Sequence, residues 1–278
     1  MRRNWFLLLT MGFGFAFLYV PILLLMIYSF NESRLVTVWA GFSAKWYGAL
    51  LRDEQMLGAA WMSFRIAVVN ASLATILGTL AALAMVRFGR FRGRTLFSGM
   101  LSAPLVMPEV ITGLASLLLF VALEQLLGWP QGRGMTTITI AHITFSTAYV
   151  AVVLQSRLQG MDRSIEEAAM DLGARPAKVF LLITIPVIAP ALVAGWLLSF
   201  TLSLDDLVIA SFVSGPASST LPMVVFSSVR LGVSPEINAL ATILVLTATV
   251  AILIAGWMMT RQERASQKLT EKREQQMG

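Results

Sequence analysis

Residues 179–204 read VFLLITIPVIAPALVAGWLLSFTLSL, and none of these side chains carries a charge. Coiled into an α-helix at 1.5 Å per residue, such a run is about 39 Å long, more than the roughly 30 Å hydrocarbon core of a bilayer. Working outward, the windows 4–31, 66–86, 134–156 and 237–260 are also free of charge, and 95–123 is broken only by Glu109. Six membrane spans follow, with expected limits near 5–29, 63–86, 96–123, 135–156, 182–212 and 237–260. The stretch 207–229 is charge-free too, but Ser214-Gly215-Pro216-Ala217-Ser218-Ser219-Thr220 interrupts it. That stretch reads as a loop, with a short re-entrant segment as the alternative.

Composition agrees with this. Of 278 residues, 57% are apolar and 13% charged, about half the charged share of an ordinary soluble domain. A water-soluble fold could not cover that much apolar surface, so the side chains must meet lipid. The chain has no cysteine, which excludes disulfides, thiolate metal sites and cysteine nucleophiles. The net charge of +6 does not call for nucleic acid once its distribution is counted. Segments 1–4, 87–95, 157–178 and 261–278 hold fifteen of the twenty-one Lys and Arg residues, including Arg87, Arg90, Arg92 and Arg94. Basic residues are retained on the cytoplasmic side, so both termini are expected there. The first span is too long for a signal peptide and reads as a retained helix.

Two loops carry local structure signals. Ser43 is a candidate cap for a short interfacial helix with Trp46, Tyr47, Leu50 and Leu51 on one face. In the cytoplasmic loop 157–180, Ser164 followed by Glu167 reads as a capping box, Gly173 as a left-handed stop, and Pro176 as the first turn of the next helix. Ile165, Ala168, Ala169 and Leu172 recur at i, i+3, i+4 and i+7, giving a small apolar face that nothing in the loop is large enough to bury. A compact knob of this kind suits a groove on a soluble partner. The tail 261–278 is polar and mixed in charge, and reads as a frayed or disordered end.

The run Glu167-Ala168-Ala169, with Gly173, Ile183 and Pro186 following, resembles the EAA loop of permease subunits in bacterial binding-protein-dependent ABC importers. Ile185 stands where that pattern usually has Leu. The stretch from Ser203-Leu204-Asp205-Asp206 to Gly215-Pro216, then Thr220-Leu221-Pro222, together with Tyr28-Ser29-Phe30-Asn31 and the run from Ala103 to Ile111, is similar to the polyamine group of that family. The resemblance covers nearly the whole chain. It implies an all-α type I importer permease fold, and a pathway-forming subunit of the bacterial inner membrane carrying a polyamine, putrescine ahead of spermidine. It also implies a second permease, two ATPase subunits and a periplasmic polyamine-binding protein. Residues 165–173 would dock on the ATPase, through Ile165, Glu167, Ala168, Ala169, Leu172 and Gly173.

The residues themselves are consistent with a non-enzymatic subunit. The four lysines, Lys45, Lys178, Lys268 and Lys272, include none that follows a glycine, so no P-loop is present; no cofactor is expected on this chain, with ATP and Mg held by partners. There is no His-Glu-x-x-His. His142, the only histidine, reads as a hydrogen-bonded packing residue, since no titrating partner is near it in sequence. Glu109, Asp205 and Asp206 lie inside predicted spans, where a carboxylate costs roughly 2.5–3.5 kcal/mol and marks a wet path or an ion pair. A diammonium substrate needs such oxygens. The competing role for the aspartates is a helix-locking pair with Arg65. A self-contained secondary transporter or channel is disfavoured by the short chain and the lack of an evident inverted repeat, and a membrane-embedded enzyme by the lack of a catalytic constellation.

Overall fold

The computed structural model describes residues 5–35, 38–232, 234–247 and 249–250. Every regular element among them is helical, the one β-bridge pairing Asn31 with Phe42. The helices are α1 (Trp5–Tyr28), α2 (Lys45–Leu50), α3 (Glu54–Arg87), α4 (Arg94–Val106), α5 (Glu109–Leu127), α6 (Met135–Gln159), α7 (Ser164–Asp171), α8 (Pro176–Val179), α9 (Ile185–Leu204), α10 (Val208–Val213), α11 (Leu221–Leu231) and α12 (Pro235–Thr247). A π-helical turn, Phe180–Thr184, joins α8 to α9, so the quoted run is one continuous helix from Pro176 to Leu204. That helix, α1, α3, α5 and α6 are each long and apolar enough to cross a membrane. Residues 251–260 of the expected sixth span, and the tail 261–278, lie outside the described residues.

The breaks differ from the smooth spans that hydropathy suggests. The window 96–123 is two helices, because Pro108 has no amide to donate and forces Met107 into extended geometry (φ −76°, ψ 138°). Glu109 is therefore the first residue of α5 instead of a mid-span residue. The window 182–212 stops at Leu204 and resumes as α10, leaving Asp205, Asp206 and Leu207 in the gap. Beyond Ser214, the loop is followed by the short α11, and neither α10 nor α11 is long enough to span.

The chain divides into a larger unit, Gln55–Ser227, and a smaller one formed by the residues up to Glu54 and from Ser228 onward. In the larger unit the core is the meeting of α3, α6 and α9. The buried face of α3 carries Ala59, Ser63, Ala67, Asn70, Ala74, Gly78 and Ala82 at steps of three or four, with Ala71 beside Asn70. Small residues matter here because lipid tails are as apolar as leucine, so helices associate through close packing and hydrogen bonds instead of water exclusion. Val150 of α6, fully buried, fills the space left by two glycines: a Cβ on Gly78 would stand 2.7 Å from its Cγ1, and one on Gly195 of α9 3.2 Å from it. One turn further along α6 and α9, the Asn70 amide donates to Ser146 Oγ (3.2 Å), Ser199 O (2.9 Å) and Ser199 Oγ (3.1 Å), tying the same three helices. Apolar clusters continue on either side of this polar layer, one with Ala74, Ala82, Leu154 and Ile188, the other with Ile66, Phe120, Phe145 and Ile209.

In the smaller unit, the turn after α1 is a knot of its own side chains. Tyr47 Oη meets Ser29 Oγ at 2.8 Å, and the Trp46 indole donates to Asn31 O at 2.6 Å. The Asn31 side chain donates to Val38 O and accepts from Ala40 N, and Phe30 stacks on Phe42. The short helix α2 is held by these bonds, and Ser43 Oγ accepts from Lys45 N at 3.3 Å. Its expected face is corrected at one end: Leu50 is buried, but Leu51 is the C-cap residue and 68% exposed.

Overpacking a helix contact of the Gly78 kind costs about 1–3 kcal/mol. Gly78→Ala should therefore lower the unfolding temperature of the detergent-solubilised protein, whereas Gly12→Ala, with nothing within 4 Å of the new methyl, should not.

Candidate functional site

The loop 157–180 folds as a helix, a tight turn and a second helix, but its entry differs from the expected capping box. Ser164 is already the first helical residue and Arg163 holds the N-cap position; the side chain that meets the helix start is Asp162, one residue earlier: Oδ1 accepts from Ser164 N (2.9 Å) and Oδ2 from Ser164 Oγ (2.8 Å). These two donors hold the Asp162 carboxyl below the ordinary carboxylate range. An acceptor-only carboxylate suits this place because it also meets the positive end of the helix dipole. The exit is as expected. Gly173 takes φ +87°, its amide bonds Met170 O (2.8 Å), and Ala174 N bonds Ala169 O (3.0 Å), a complete Schellman closure. Pro176 then opens α8.

One side of α7 is fastened to the bundle. Glu166 Oε2 pairs with Arg87 Nη2 at 2.9 Å, while its Oε1 accepts from Thr184 Oγ1 at 2.6 Å, in the π-helical turn. Arg163 Nη2 donates to Val86 O (2.8 Å), and Arg94 donates to Met85 O and Gly89 O. Guanidinium groups thus take up carbonyls that the end of α3 leaves without helical partners. The opposite side is open. Glu167 and Ala168 are exposed, Ile165 is half exposed, Leu172 is 90% exposed, and Ala169 is half-buried. Sequence reading picked out Glu167 and missed its neighbour Glu166 as the anchor. Successive residues on a helix point about 100° apart, so one glutamate turns in and the next turns out.

The second group of polar residues sits at the break between α9 and α10. Asp206 Oδ2 meets His142 Nε2 at 3.1 Å and accepts from Ala210 N at 2.8 Å, and Oδ1 accepts from Ile209 N at 3.3 Å. His142 Nδ1 meets Ser203 Oγ at 2.8 Å. His142 and Asp206 side chains are 2% and 7% exposed. His142 is therefore a bonded core residue, but its titrating partner lies 64 positions away in sequence. The proposed lock between Arg65 and the aspartates is corrected: among the described residues Arg65 forms no ion pair with either, and is exposed. Asp206 has both oxygens engaged. Asp205, next to it, is exposed, as is Glu109 at the start of α5. The same stretch of α5 reaches the break region one turn later, where Gly113 lies so close to α10 that a Cβ there would be 2.7 Å from the Phe212 ring.

A bundle of membrane-length helices with an exposed helix-turn-helix on one loop is the architecture of a type I importer permease. The chain belongs to the family of binding-protein-dependent transport system inner membrane components, whose model matches residues 74–268. It is 62% identical over 263 residues to the putrescine transport system permease protein PotI of Escherichia coli (strain K12), covering 95% of this chain and 93% of the relative. It is 43% identical over 249 residues to the spermidine/putrescine transport system permease protein PotC of the same organism, covering 90% and 91%. Among solved structures, a bacterial alginate ABC transporter, in complex with its alginate pentasaccharide-bound periplasmic protein, shares the fold at a TM-score of 0.69 and 17% identity, over 91% of this chain and 93% of that one. The chain is thus a membrane permease subunit and not itself an enzyme.

Removing one member of a part-buried ion pair leaves the other charge unmet at a cost of about 1–3 kcal/mol. Glu166→Gln should therefore speed hydrogen exchange across residues 162–174. Pairing Glu166→Arg with Arg87→Glu should restore part of the protection that either reversal loses alone.

Proposed function

We propose that the chain forms half of the membrane pathway of an ABC importer for a polyamine, putrescine first, with both termini cytoplasmic. The observation that carries this is the 62% identity to a putrescine permease along almost the full length of both chains. A second homologous permease completes the pathway, a periplasmic polyamine-binding protein delivers substrate, and two ATPase subunits holding ATP and Mg drive it. The second reading, spermidine in place of putrescine, is favoured by the 43% identity to the spermidine/putrescine permease.

The chemistry of the path fits a diammonium ion. Glu109 and Asp205 are exposed carboxylates at helix interruptions, where backbone carbonyls also lack helical partners. Carboxylate and carbonyl oxygens together replace the hydration that each ammonium group gives up. Asp206 belongs to the scaffold of this path, because its oxygens already serve His142 and α10. On the cytoplasmic side, the open face of α7 enters a groove of the ATPase. Closure of the ATPases then moves a loop that Glu166 and Arg163 fasten to α3, so the transport step is rigid-body rocking with no covalent chemistry in this chain.

Charge-assisted hydrogen bonds contribute about 1.5–3 kcal/mol, so Glu109→Gln and Asp205→Asn should each raise the KM for uptake about tenfold or more. Radiolabelled putrescine uptake, with competition by spermidine and unrelated amines, measures both this and the substrate order. Unchanged KM in both variants removes the acidic path. Ala168→Arg places a charge on the open face, and should abolish uptake and substrate-stimulated ATP hydrolysis while the protein still reaches the membrane. Normal coupling in that variant would rule out α7 as the docking element.

A further inference from the structure

The gap between α9 and α10 contains two successive aspartates, and only one is committed. Asp206 caps α10 through the amides of Ile209 and Ala210, whereas Asp205 stands exposed. Either residue has the right chemistry for a cap, since both are acceptor carboxylates just ahead of the same orphan amides. What distinguishes them is His142. From α6 it bonds Ser203, in the last turn of α9, with one ring nitrogen, and Asp206, the cap of α10, with the other. The carboxylate accepts only, so Nε2 donates to it and Nδ1 accepts the Ser203 hydroxyl when the ring is neutral. One imidazole thereby spans the break from both sides.

The residue types are those of an acyl-transfer triad, but the arrangement is not one. Ser203 is buried within α9, where backbone amides are taken by the helix, and no approach is left for a substrate carbonyl. We propose instead that His142 is a positioning residue for the substrate path: it splints the break, selects Asp206 as the cap, and so leaves Asp205 as the carboxylate presented to the polyamine. This rests on the proposed role of Asp205 in the path.

The test is radiolabelled putrescine uptake by cells carrying the full importer, with KM and saturating rate measured separately. Leaving Ser203 and Asp206 without their common partner by His142→Leu should raise KM about tenfold while the saturating rate per complex stays within about twofold. His142→Gln can still donate to Asp206 and accept from Ser203, and should return KM to within about twofold of the parent. Ser203→Ala removes one arm with little change of volume and should raise KM about threefold, which keeps the test open if the leucine variant does not fold. In an Asp205→Asn background, His142→Leu should add nothing further to KM, because its effect acts through Asp205. An additive effect there, or a loss of saturating rate with KM unchanged, makes His142 a packing residue and overturns the proposal. If Asp205→Asn raises KM and neither His142→Leu nor Ser203→Ala does, the splint alone is refuted. If Asp205→Asn leaves KM unchanged, the path role of Asp205 falls and the positioning role falls with it.

Discussion

The larger unit depends on how closely three helices approach one another at a single level of α3, α6 and α9. Two glycines, Gly78 and Gly195, leave room for one buried valine, Val150, and the Asn70 amide binds serines of the other two helices nearby. In lipid there is little apolar gain in bringing helices together, so contact distance and hydrogen bonding carry the association. A side chain of ordinary size at either glycine would push helices apart and leave the Asn70 donors without partners. Packing and polar satisfaction therefore stand or fall together here. The same holds one layer away, where His142 reaches across to α9 and α10.

The loop that carries α7 shows how a short helix is kept in place without a core of its own. Eight residues of α7 are too few to be stable alone in water. They are held instead by a carboxylate cap at the start, a Schellman closure at the end, and ionic bonds to α3 and the π-helical turn. Every one of these ties lies on the ends or on the inner face. The outer face, with Ile165, Ala168 and Leu172, is left exposed, so none of these side chains takes part in the ties that hold the loop together.

Much of this was legible in the sequence, and what was not has a common cause. Charge-free runs locate long helices because hydrocarbon penalises charge at every position, and Gly173 and Pro176 mark the loop because their backbone limits are local. Glu109, Asp205 and Asp206 stood out for their cost in lipid. Their different surroundings did not, because those are set by neighbours remote in the chain: the partner of Asp206 is on α6, just as Arg87 reaches Glu166 from the end of another helix. The helix break at Met107 was signalled by Pro108, whereas the break at Asp205 has no proline, and there the Asp206 carboxylate takes the amides of Ile209 and Ala210. At the start of α7, likewise, it is the Asp162 carboxylate that accepts from Ser164, which the spacing of Ser164 and Glu167 did not signal.

Proline is present within α1, α4 and α9, at Pro21, Pro104 and Pro190, but α3 runs through 34 residues without one. At 1.5 Å per residue that is a rod about 51 Å long, gripped at its last turn by Arg94, Arg163 and the Arg87–Glu166 pair. Mechanically this makes α3 a torsion bar. A twist applied to the loop enters at one end and meets no proline hinge, so it is passed along the full length of α3 by a single covalent element.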